Sequence, residues 1–321
     1  MLTAREQLYI NRCGEQVFAP PFEATLSDFF GFAVQGDHEL LKKNICDRFF
    51  NGPLNQPDRF TAFQYVIFVF STIDQAVSGS PEYKDFGYFS YNEAAVWMLV
   101  ADQQHEQIRW FQPYMFVDDP YAMFAGREIY GFPKTTGTFG IPPGPEAPER
   151  LWVKTRVVKA KGGAGETAKL FEVGRPTQLS CTHLHCNDKD DFFANVFETL
   201  KVTGPDYFRR FGLSEGFAQS AYDDLIHMRI PLMFLKQFRD GVHPDRAGIH
   251  VVQEAESSIT EFLGSRLYHD PYELAINDVF SHRVREDLGL GDGQLKVDLS
   301  FWMRFRFSLG PCKLITAKET R

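Results

Sequence analysis

The sequence predicts an α+β fold built mainly on antiparallel strands. Short apolar runs of strand length recur along the 321 residues, and they do not alternate regularly with helices, as a parallel sheet would require. Residues 187–228 differ, because this stretch is polar and places apolar residues at helical spacing. We therefore predict one domain over residues 1–321 that carries a helical insertion at 187–228.

The first half of the chain contains a predicted helix between strands. Residues 21–34 are aromatic and broken by small residues, which favours an early strand. Residues 38–50 place apolar residues at helical spacing, and Asp37 is a suitable N-cap for this helix. Three further apolar runs have strand length: Phe63–Phe70, Ala94–Val100 and Arg109–Val117.

The second half of the chain predicts a hairpin and a late strand. Residues 140–150 form a predicted loop, because their four prolines and two glycines cannot continue a strand ladder. Residues 151–158 and 169–173 flank a glycine-rich turn, which is typical of a β-hairpin. Residues 296–309 alternate apolar and polar side chains, and this pattern predicts a strand that is buried on one face.

The composition is that of a globular protein with many aromatic side chains. Hydrophobic residues make up 44% of the chain and charged residues 24%, which excludes a disordered or fibrous protein. Aromatic residues reach 15%, and 32 of them are phenylalanine. Phenylalanine brings a large apolar area and no hydrogen-bonding group, so these rings are expected to fill a core or line a dry pocket.

The charge and cysteine content exclude several classes of partner. The formal net charge is −8 and no run of lysine and arginine occurs, so we expect no nucleic-acid partner. The chain has no apolar run of about 18 residues and no apolar leader, so we expect no membrane partner. Five scattered cysteines do not suggest a disulfide framework, which favours a reducing, cytoplasmic location.

One lysine stands in an unusual position in the sequence. The stretch Gly126 to Lys134 (GREIYGFPK) ends an apolar, aromatic segment with a lysine directly after Pro133. If the side chain is buried, desolvation lowers the pKa of Lys134, because it disfavours the ammonium form. A neutral lysine amine forms Schiff bases with ketones and keto acids. The alternative is an ordinary surface lysine that follows a turn proline.

The same stretch resembles the signature of the acetoacetate decarboxylase family, whose reactive lysine occupies the position of Lys134. Tyr91-Asn92-Glu93 resembles the family's Tyr-x-Glu motif, and residues 21–43 and 231–241 have the spacing of further family segments. The resemblance implies an antiparallel, closed or cone-like β-barrel wrapped by helices. It also implies a homo-oligomer that uses no cofactor.

The resemblance assigns provisional roles to six residues. Lys134 is the predicted nucleophile and Glu93 the predicted acid and base, since Glu93 immediately precedes an apolar run. A strand-end glutamate in solvent is the alternative for Glu93. The predicted pocket residues are Ser27, Tyr91, Arg127 and Phe132. Arg127 and Glu128 would face opposite sides if they lay on a strand, and a structural ion pair is an equally acceptable role for each.

Three departures from the family pattern point to a different substrate. Thr135 replaces the second lysine that often follows the reactive one, so desolvation has to provide most of the activation. Ser27 occupies the position of a pocket arginine, and residues 65–70 lack a pocket glutamate. A serine captures a carboxylate less strongly than a guanidinium does. We therefore expect a larger or more apolar carbonyl compound than acetoacetate.

These features predict a carbon–carbon lyase that forms a Schiff base through Lys134 and acts on a keto acid or β-dicarbonyl compound. Decarboxylation and aldol chemistry with dehydration both use the electron sink of a protonated imine, so both reactions remain open. The alternative from another class is a non-catalytic protein that binds an apolar carbonyl ligand or serves an assembly role.

One group of residues could in principle hold a metal ion. Cys181, His183 and His185 would share one face of a strand, which brings together ligands that suit zinc. A fourth ligand is not evident from the sequence, and neighbouring strand residues crowd a single ion. We therefore expect a strand that binds no metal at this position.

Overall fold

The computed structural model describes residues 9–10, 17–175, 183–186, 188–201, 205–214, 216–217, 223–224 and 227–315. Strands dominate this part of the chain, as predicted for an α+β fold. The strands are β1 (Phe22–Gln35), β2 (Phe60–Ser78), β3 (Phe89–Asp102), β4 (Gln107–Val117), β5 (Lys134–Gly140), β6 (Arg150–Val158), β7 (Gly165–Gly174), β8 (His183–Cys186), β9 (Arg229–Arg239), β10 (Ala247–Tyr268), β11 (Glu273–Ile276), β12 (Leu295–Lys296) and β13 (Leu299–Leu314).

The helices of the described part are short. Two of the helical segments have the wider π-helical turn, and we label them π1 and π2. The helical segments are α1 (His38–Leu41), π1 (Lys42–Asn51), α2 (Gly52–Leu54), α3 (Pro120–Ala125), π2 (Gly126–Tyr130), α4 (Lys189–Leu200), α5 (Pro205–Arg209) and α6 (Val284–Asp287). Helices α4 and α5 lie within the predicted insertion.

The strands form one continuous hydrogen-bonded sheet. Its order is β12-β11-β7-β6-β5-β4-β3-β2-β1-β13-β10-β8, and β9 pairs with both β10 and β4. The path from β4 through β3, β2, β1, β13, β10 and β9 therefore returns to β4. The closed barrel and the surrounding helices that the family resemblance implies remain predictions, since the described helices are few and short.

Two pairings depart from the antiparallel arrangement that the sequence predicts. Strand β4 is parallel to β5 and, at Trp110 and Leu232, parallel to β9. Parallel neighbours need a crossover connection. Helix α3 and the π2 turn provide this connection between β4 and β5, and they carry the chain back so that β5 starts alongside β4.

The sequence located most elements of the first half correctly. All three apolar runs are strands, and residues 22–35 form the predicted early strand. The helix that follows begins as predicted, because the Asp37 carboxylate accepts a hydrogen bond from the backbone N–H of Leu40 at 2.9 Å. After one turn, however, this helix continues as π1.

The prediction of a strand with only one buried face was wrong for the first half of β13. Ser300 and Trp302, which the alternation placed on the polar face, are 3% and 6% exposed. The indole N–H of Trp302 donates a hydrogen bond to the Asp28 carboxylate at 2.9 Å. Neighbouring elements cover both faces of this central strand, and the polar atoms find partners inside the sheet.

In the part of the chain that the structure describes, no helix has the length and apolar character needed to cross a membrane.

Candidate active site

The strand register brings Lys134 and Glu93 to the same side of the sheet. Lys134 is the first residue of β5 and lies beside Met115 of β4, which in turn pairs with Ala95 of β3. Glu93 is two residues from Ala95 along β3, so its side chain shares the face of Ala95. The Lys134 Nζ atom lies 3.6 Å from Glu93 Oε2.

The segment that precedes Lys134 is helical, and our assumption that Arg127 and Glu128 lie on a strand was wrong. Residues 126–130 form the π2 turn, which ends at Gly131 with a left-handed φ of 86°. An added Cβ at Gly131 would lie 2.5 Å from the Cα atom of Lys236 on β9. Glycine is therefore required at position 131 both for the backbone angle and for the close approach of β9.

Gly126 provides the space that the Lys134 side chain occupies. An added Cβ at Gly126 would lie 2.6 Å from Cδ and 3.0 Å from Cε of Lys134. These distances are too short for van der Waals contact. The first and last residues of the GREIYGFPK stretch therefore contact each other in the fold, because the π2 turn brings them together.

Gln253 of β10 fixes the π2 turn from the opposite side. Its amide group donates hydrogen bonds to the backbone oxygens of Ile129 and Tyr130 at 2.8 and 2.9 Å. A π-helical end leaves carbonyl groups without partners inside the helix, and Gln253 satisfies two of them. Nothing in the sequence distinguishes Gln253 from other glutamines, and sequence reasoning missed it.

The Lys134 side chain faces an apolar pocket, which we call the reaction pocket. Lys134 and Glu93 are 6% and 4% exposed. The pocket encloses about 850 Å³ of empty space, part of it open to solvent. Its charged lining residues in the described part of the chain are Lys134, Glu93 and the exposed Glu23. Tyr91, Phe132 and many other aromatic and aliphatic residues form the rest of the lining. The burial of Lys134 agrees with the prediction made from the sequence.

Burial shifts the pKa values of both charged groups toward their neutral forms. Desolvation lowers the pKa of Lys134, and the negative charge of Glu93 offsets part of this shift. Desolvation also raises the pKa of Glu93, and the positive charge of Lys134 offsets part of that shift. Burial therefore favours the neutral form of both groups.

Two aromatic rings lie next to the Lys134 nitrogen. Nζ is 4.9 Å from the ring centre of Tyr91 and 5.3 Å from that of Phe132. A ring face attracts a cation at this distance, so the two rings partly oppose the loss of the proton from Lys134. The same attraction would act on a protonated imine formed at this nitrogen.

Two of the predicted pocket residues lie outside the pocket lining. Ser27 is fully buried and pairs with Ile73 and Phe305, which do line the pocket, whereas Ser27 itself does not. Arg127 is exposed, and its guanidinium donates a hydrogen bond to the backbone oxygen of Lys134 at 2.9 Å. The π2 turn explains this position, because a helical Arg127 points to a different side from that of a strand residue. Arg127 supports the backbone of Lys134 and does not line the pocket.

The three residues considered as metal ligands do not form a described site. His183 and His185 are exposed on β8, and Cys181 lies outside the described residues. Among the residues whose placement is described, no group of three or more His, Cys, Asp and Glu side chains is arranged to hold a metal ion.

The comparison with known proteins connects this site to one enzyme family. Residues 58–166 match the family described as acetoacetate decarboxylase (ADC). This match includes both Glu93 and Lys134. No curated protein sequence matches the chain.

Solved structures share the fold over nearly the whole chain. Acetoacetate decarboxylase from Legionella pneumophila is 15% identical with a TM-score of 0.60, covering 97% of this chain and 93% of that chain. An acetoacetate decarboxylase-like enzyme from Sphingomonas wittichii RW1 is 12% identical with a TM-score of 0.56, covering 94% and 95%. The enduracididine biosynthesis enzyme MppR, complexed with pyruvate, is 14% identical with a TM-score of 0.54, covering 95% and 93%.

Residues 58–166 are therefore similar to the acetoacetate decarboxylase family, and the chain shares the fold of these solved structures.

Proposed function

We propose that this protein is a carbon–carbon lyase that forms a Schiff base between Lys134 and a keto acid or β-dicarbonyl substrate. The observation that carries the proposal is the buried pair of Lys134 and Glu93, with 3.6 Å between Nζ and Oε2, in the apolar reaction pocket. An amine with a lowered pKa is available as a nucleophile, and a carboxyl group with a raised pKa is available as an acid.

The first half of the proposed reaction forms the imine. The neutral Lys134 amine attacks the substrate carbonyl carbon, and the oxygen that becomes negative takes a proton from the carboxyl group of Glu93. The nitrogen, now positively charged, returns one proton to Glu93, which then protonates the hydroxyl group so that it leaves as water. The products are a protonated imine on Lys134 and a Glu93 carboxylate 3.6 Å from the nitrogen in the free protein.

The second half breaks the carbon–carbon bond. The bond between the α carbon of the imine and the leaving carbon cleaves, its electron pair moves toward the nitrogen, and an enamine remains. In a decarboxylation the leaving fragment is CO₂. In an aldol cleavage it is a carbonyl compound, whose hydroxyl proton passes to the Glu93 carboxylate. Protonation of the enamine carbon and addition of water then release the product ketone and the free amine.

The rings of Tyr91 and Phe132 support this cycle at one specific stage. The protonated imine is a cation at the position of Nζ, where both ring faces are within 5.3 Å. Water would stabilise this cation less selectively, because water also solvates the starting ketone. The two rings therefore favour the intermediate that acts as the electron sink.

The charged residues of the pocket limit which head group a substrate can carry. No arginine is found among its described lining residues, and Lys134 is the single described cation there. A free carboxylate beside Lys134 would therefore lack the bidentate partner that a guanidinium provides. This favours β-dicarbonyl compounds, or keto acids whose carboxylate reaches solvent outside the pocket.

Related folds host both kinds of chemistry that we consider. The Legionella pneumophila structure is an acetoacetate decarboxylase. MppR has been solved with pyruvate and with the condensation product of pyruvate and imidazole 4-carboxaldehyde. Decarboxylation and aldol condensation with dehydration therefore both remain within the proposal. We also propose a homo-oligomer, as the family resemblance implies, and a cytoplasmic location, as the few scattered cysteines suggest.

A non-catalytic role is the second candidate function, and the apolar lining of the reaction pocket favours it. Such a protein would bind an apolar carbonyl compound without turnover. It would differ from the proposed enzyme in one measurable way, because no covalent adduct would form on Lys134.

Borohydride trapping tests the proposal directly. The protein is incubated with pyruvate, acetoacetate and larger keto acids, reduced, and examined by peptide mass mapping. We expect an adduct on Lys134. Lys236→Ala is the matched control, because burial also lowers the pKa of Lys236 and this lysine does not line the pocket. An adduct that is lost in Lys236→Ala and kept in Lys134→Ala would overturn the assignment.

A further inference from the structure

A second, larger cavity lies beside the reaction pocket. It encloses about 1480 Å³ of empty space, part of it open to solvent. Four residues line both cavities: Phe29, Trp97, Ile230 and Phe305. We call the second cavity the tail chamber. These four residues form the junction between it and the reaction pocket.

We propose that the tail chamber binds the hydrocarbon tail of the substrate whose carbonyl group reaches Lys134. This inference rests on the proposed function and makes it more specific, since it assigns the substrate to long-chain carbonyl compounds.

The lining of the tail chamber suits a hydrocarbon. Strands contribute aliphatic and aromatic side chains to its floor, among them Ile67, Val69 and Leu99. Helix α4 contributes one wall, which includes Phe193 and Val196. Burial of such a tail is favourable by about 0.8 kcal/mol for each methylene group.

The charges at the chamber do not offer a site for an ionic group. Asp224 and Arg229 are the charged residues among its described lining residues. Their side chains form an ion pair with each other at 2.9 Å. A carboxylate or phosphate in the chamber would have to compete with Asp224 for Arg229. The ionic or polar end of a ligand therefore belongs at the Lys134 end.

The size of the chamber also requires an explanation. Protein interiors are close-packed, and cavities larger than a water molecule are few. A cavity lined by large apolar side chains costs stability, because these side chains lose contacts that a filled core would provide. A ligand tail would restore the contacts.

The junction consists mainly of aromatic rings that pack against one another, so a tail that enters the chamber has to displace them. The Phe29 ring centre lies 4.8 Å from that of Phe305 and 6.2 Å from that of Trp97. The indole N–H of Trp97 is buried and has no hydrogen-bond partner among the described residues. An unpaired buried donor is unfavourable, and an oxygen of the substrate head group in the reaction pocket, which Trp97 also lines, would satisfy it.

The first test measures turnover against chain length in the unmodified protein. The substrates are acetoacetate, 3-oxohexanoate, 3-oxooctanoate and 3-oxodecanoate, with Lys134→Ala as the blank. We expect kcat/KM to rise by up to about fourfold for each added methylene group that enters the chamber. A kcat/KM that stays constant or falls with chain length would overturn the proposal.

The second test blocks the chamber from helix α4. Val196→Trp places an indole in the chamber, whereas Ala194→Trp places the same group on the exposed face of the same helix. We expect Val196→Trp to lower the ratio of kcat/KM for 3-oxodecanoate to that for acetoacetate roughly tenfold or more, as the loss of two to three buried methylenes would. Ala194→Trp should leave this ratio unchanged. An equal ratio in both variants would contradict the assignment.

The third test separates the chamber from the chemistry. Decanol has a tail and no carbonyl group, so it cannot form an imine, and its binding is measured by tryptophan fluorescence and calorimetry. Saturable decanol binding that Val196→Trp weakens, without borohydride trapping, would support the chamber and refute the lyase. Trapping without decanol binding or chain-length dependence would support the lyase and refute the chamber. If Val196→Trp changes only the oligomeric state, a second copy of the chain covers the chamber and the proposal is wrong.

Discussion

Two clusters of buried charge in this protein differ in how completely their hydrogen bonds are formed. One is the Lys134–Glu93 pair of the reaction pocket. The other surrounds Asp102 at the end of β3, where Asp102 is fully buried between Arg59 and Arg109. Both clusters belong to the same sheet, and both are shielded from water.

In the Asp102 cluster, both oxygens of the carboxylate have hydrogen-bond partners. Arg59 donates to Oδ1 at 3.0 Å and to Oδ2 at 2.8 Å, and Arg109 donates to Oδ2 at 3.2 Å. The His105 ring and the backbone N–H of Gln104 are also within hydrogen-bond distance. Burial by itself would raise the pKa of Asp102, but these partners lower it below the ordinary value. Asp102 therefore stays ionised.

The Lys134–Glu93 pair has one contact of 3.6 Å, slightly longer than a hydrogen bond. Here the effect of burial is larger than that of the single contact. Burial therefore lowers the pKa of Lys134 and raises that of Glu93. The difference between the two clusters shows that the number of hydrogen-bond partners, and not burial alone, determines whether a buried group keeps its charge. A fully bonded ion is fixed in one protonation state, whereas a sparsely bonded pair can transfer protons.

The largest effect is expected from removal of the nucleophile. Lys134→Met should lower turnover on the order of 10³-fold or more, because no other described lining residue offers an amine. The free energy of unfolding of the double variant Lys134→Met/Glu93→Leu should equal that of the parent protein or exceed it by up to about 4 kcal/mol. The reason is that an apolar pair replaces a charged pair with few hydrogen bonds. Kinetics and urea denaturation measure the two quantities. A strongly destabilised double variant would show that the pair is structural after all.

The Asp102 cluster should respond in the opposite way. Asp102→Ala leaves two buried guanidinium groups without their common carboxylate, so the free energy of unfolding should fall by about 3–5 kcal/mol. The measurement is urea denaturation at neutral pH. Borohydride trapping at Lys134 should persist in the fraction of protein that remains folded.

The pH dependence of stability provides the control for this variant. The pKa of Asp102 is lower in the folded state, so its stabilising contribution is present above the ordinary aspartate pKa of about 3.9. The contribution is lost as the pH falls through the folded-state value. The difference between parent and Asp102→Ala should therefore shrink in acid, and a difference that grows in acid would contradict our interpretation of the cluster.

Glu93→Gln should have a smaller effect on turnover than Lys134→Met. The direction in which it shifts the pH dependence of trapping tests whether Glu93 interacts with Lys134. Turnover should fall about 10²-fold or more, because the acid and base is lost. The negative charge of Glu93 raises the pKa of Lys134, so its removal should lower that pKa further. Because trapping needs the neutral amine, the pH at which trapping reaches half its maximum should shift to lower pH. Glu256→Gln, an exposed carboxylate on β10, is the control. A shift to higher pH would mean that Glu93 does not interact with Lys134 as the structure indicates.

The smallest effect is expected from Gly126→Ala, which fills space next to the Lys134 side chain. Gly126→Ala places a Cβ 2.6 Å from Lys134 Cδ, so the side chain must move and the rate of trapping should fall by up to about 10²-fold. Gly241→Ala is a matched control, since no atom lies within 4 Å of its added Cβ. Equal trapping rates in the two variants would show that Lys134 tolerates displacement, which would weaken the contrast with the rigid Asp102 cluster.

The sequence predicted the positions of the strands, and the burial of Lys134 beside Glu93, better than the connections between the strands. Apolar runs of strand length located β2, β3 and β4, and the lysine block indicated Lys134. The parallel pairing of β5 and the π2 turn had no signal, because both depend on contacts between segments far apart in the chain. Ser27 and Arg127 were assigned to the pocket by alignment, and the observed backbone directs them elsewhere. The tail chamber needs α4 to pack over the strands, which no local pattern encodes.

The position of Lys134 at the start of β5 has a consequence for how the chain tolerates insertions and deletions. Glu93 and Lys134 lie on β3 and β5, with β4 between them, and β4 and β5 share only three paired positions. A one-residue slip in this short pairing would turn Lys134 to the opposite face of the sheet. Length changes in the connection 118–133 should therefore abolish the reactive pair, whereas the exposed hairpin tip at 160–164 has no such register to keep. In natural variants of this chain, we expect length variation at the tip and a constant length in the connection.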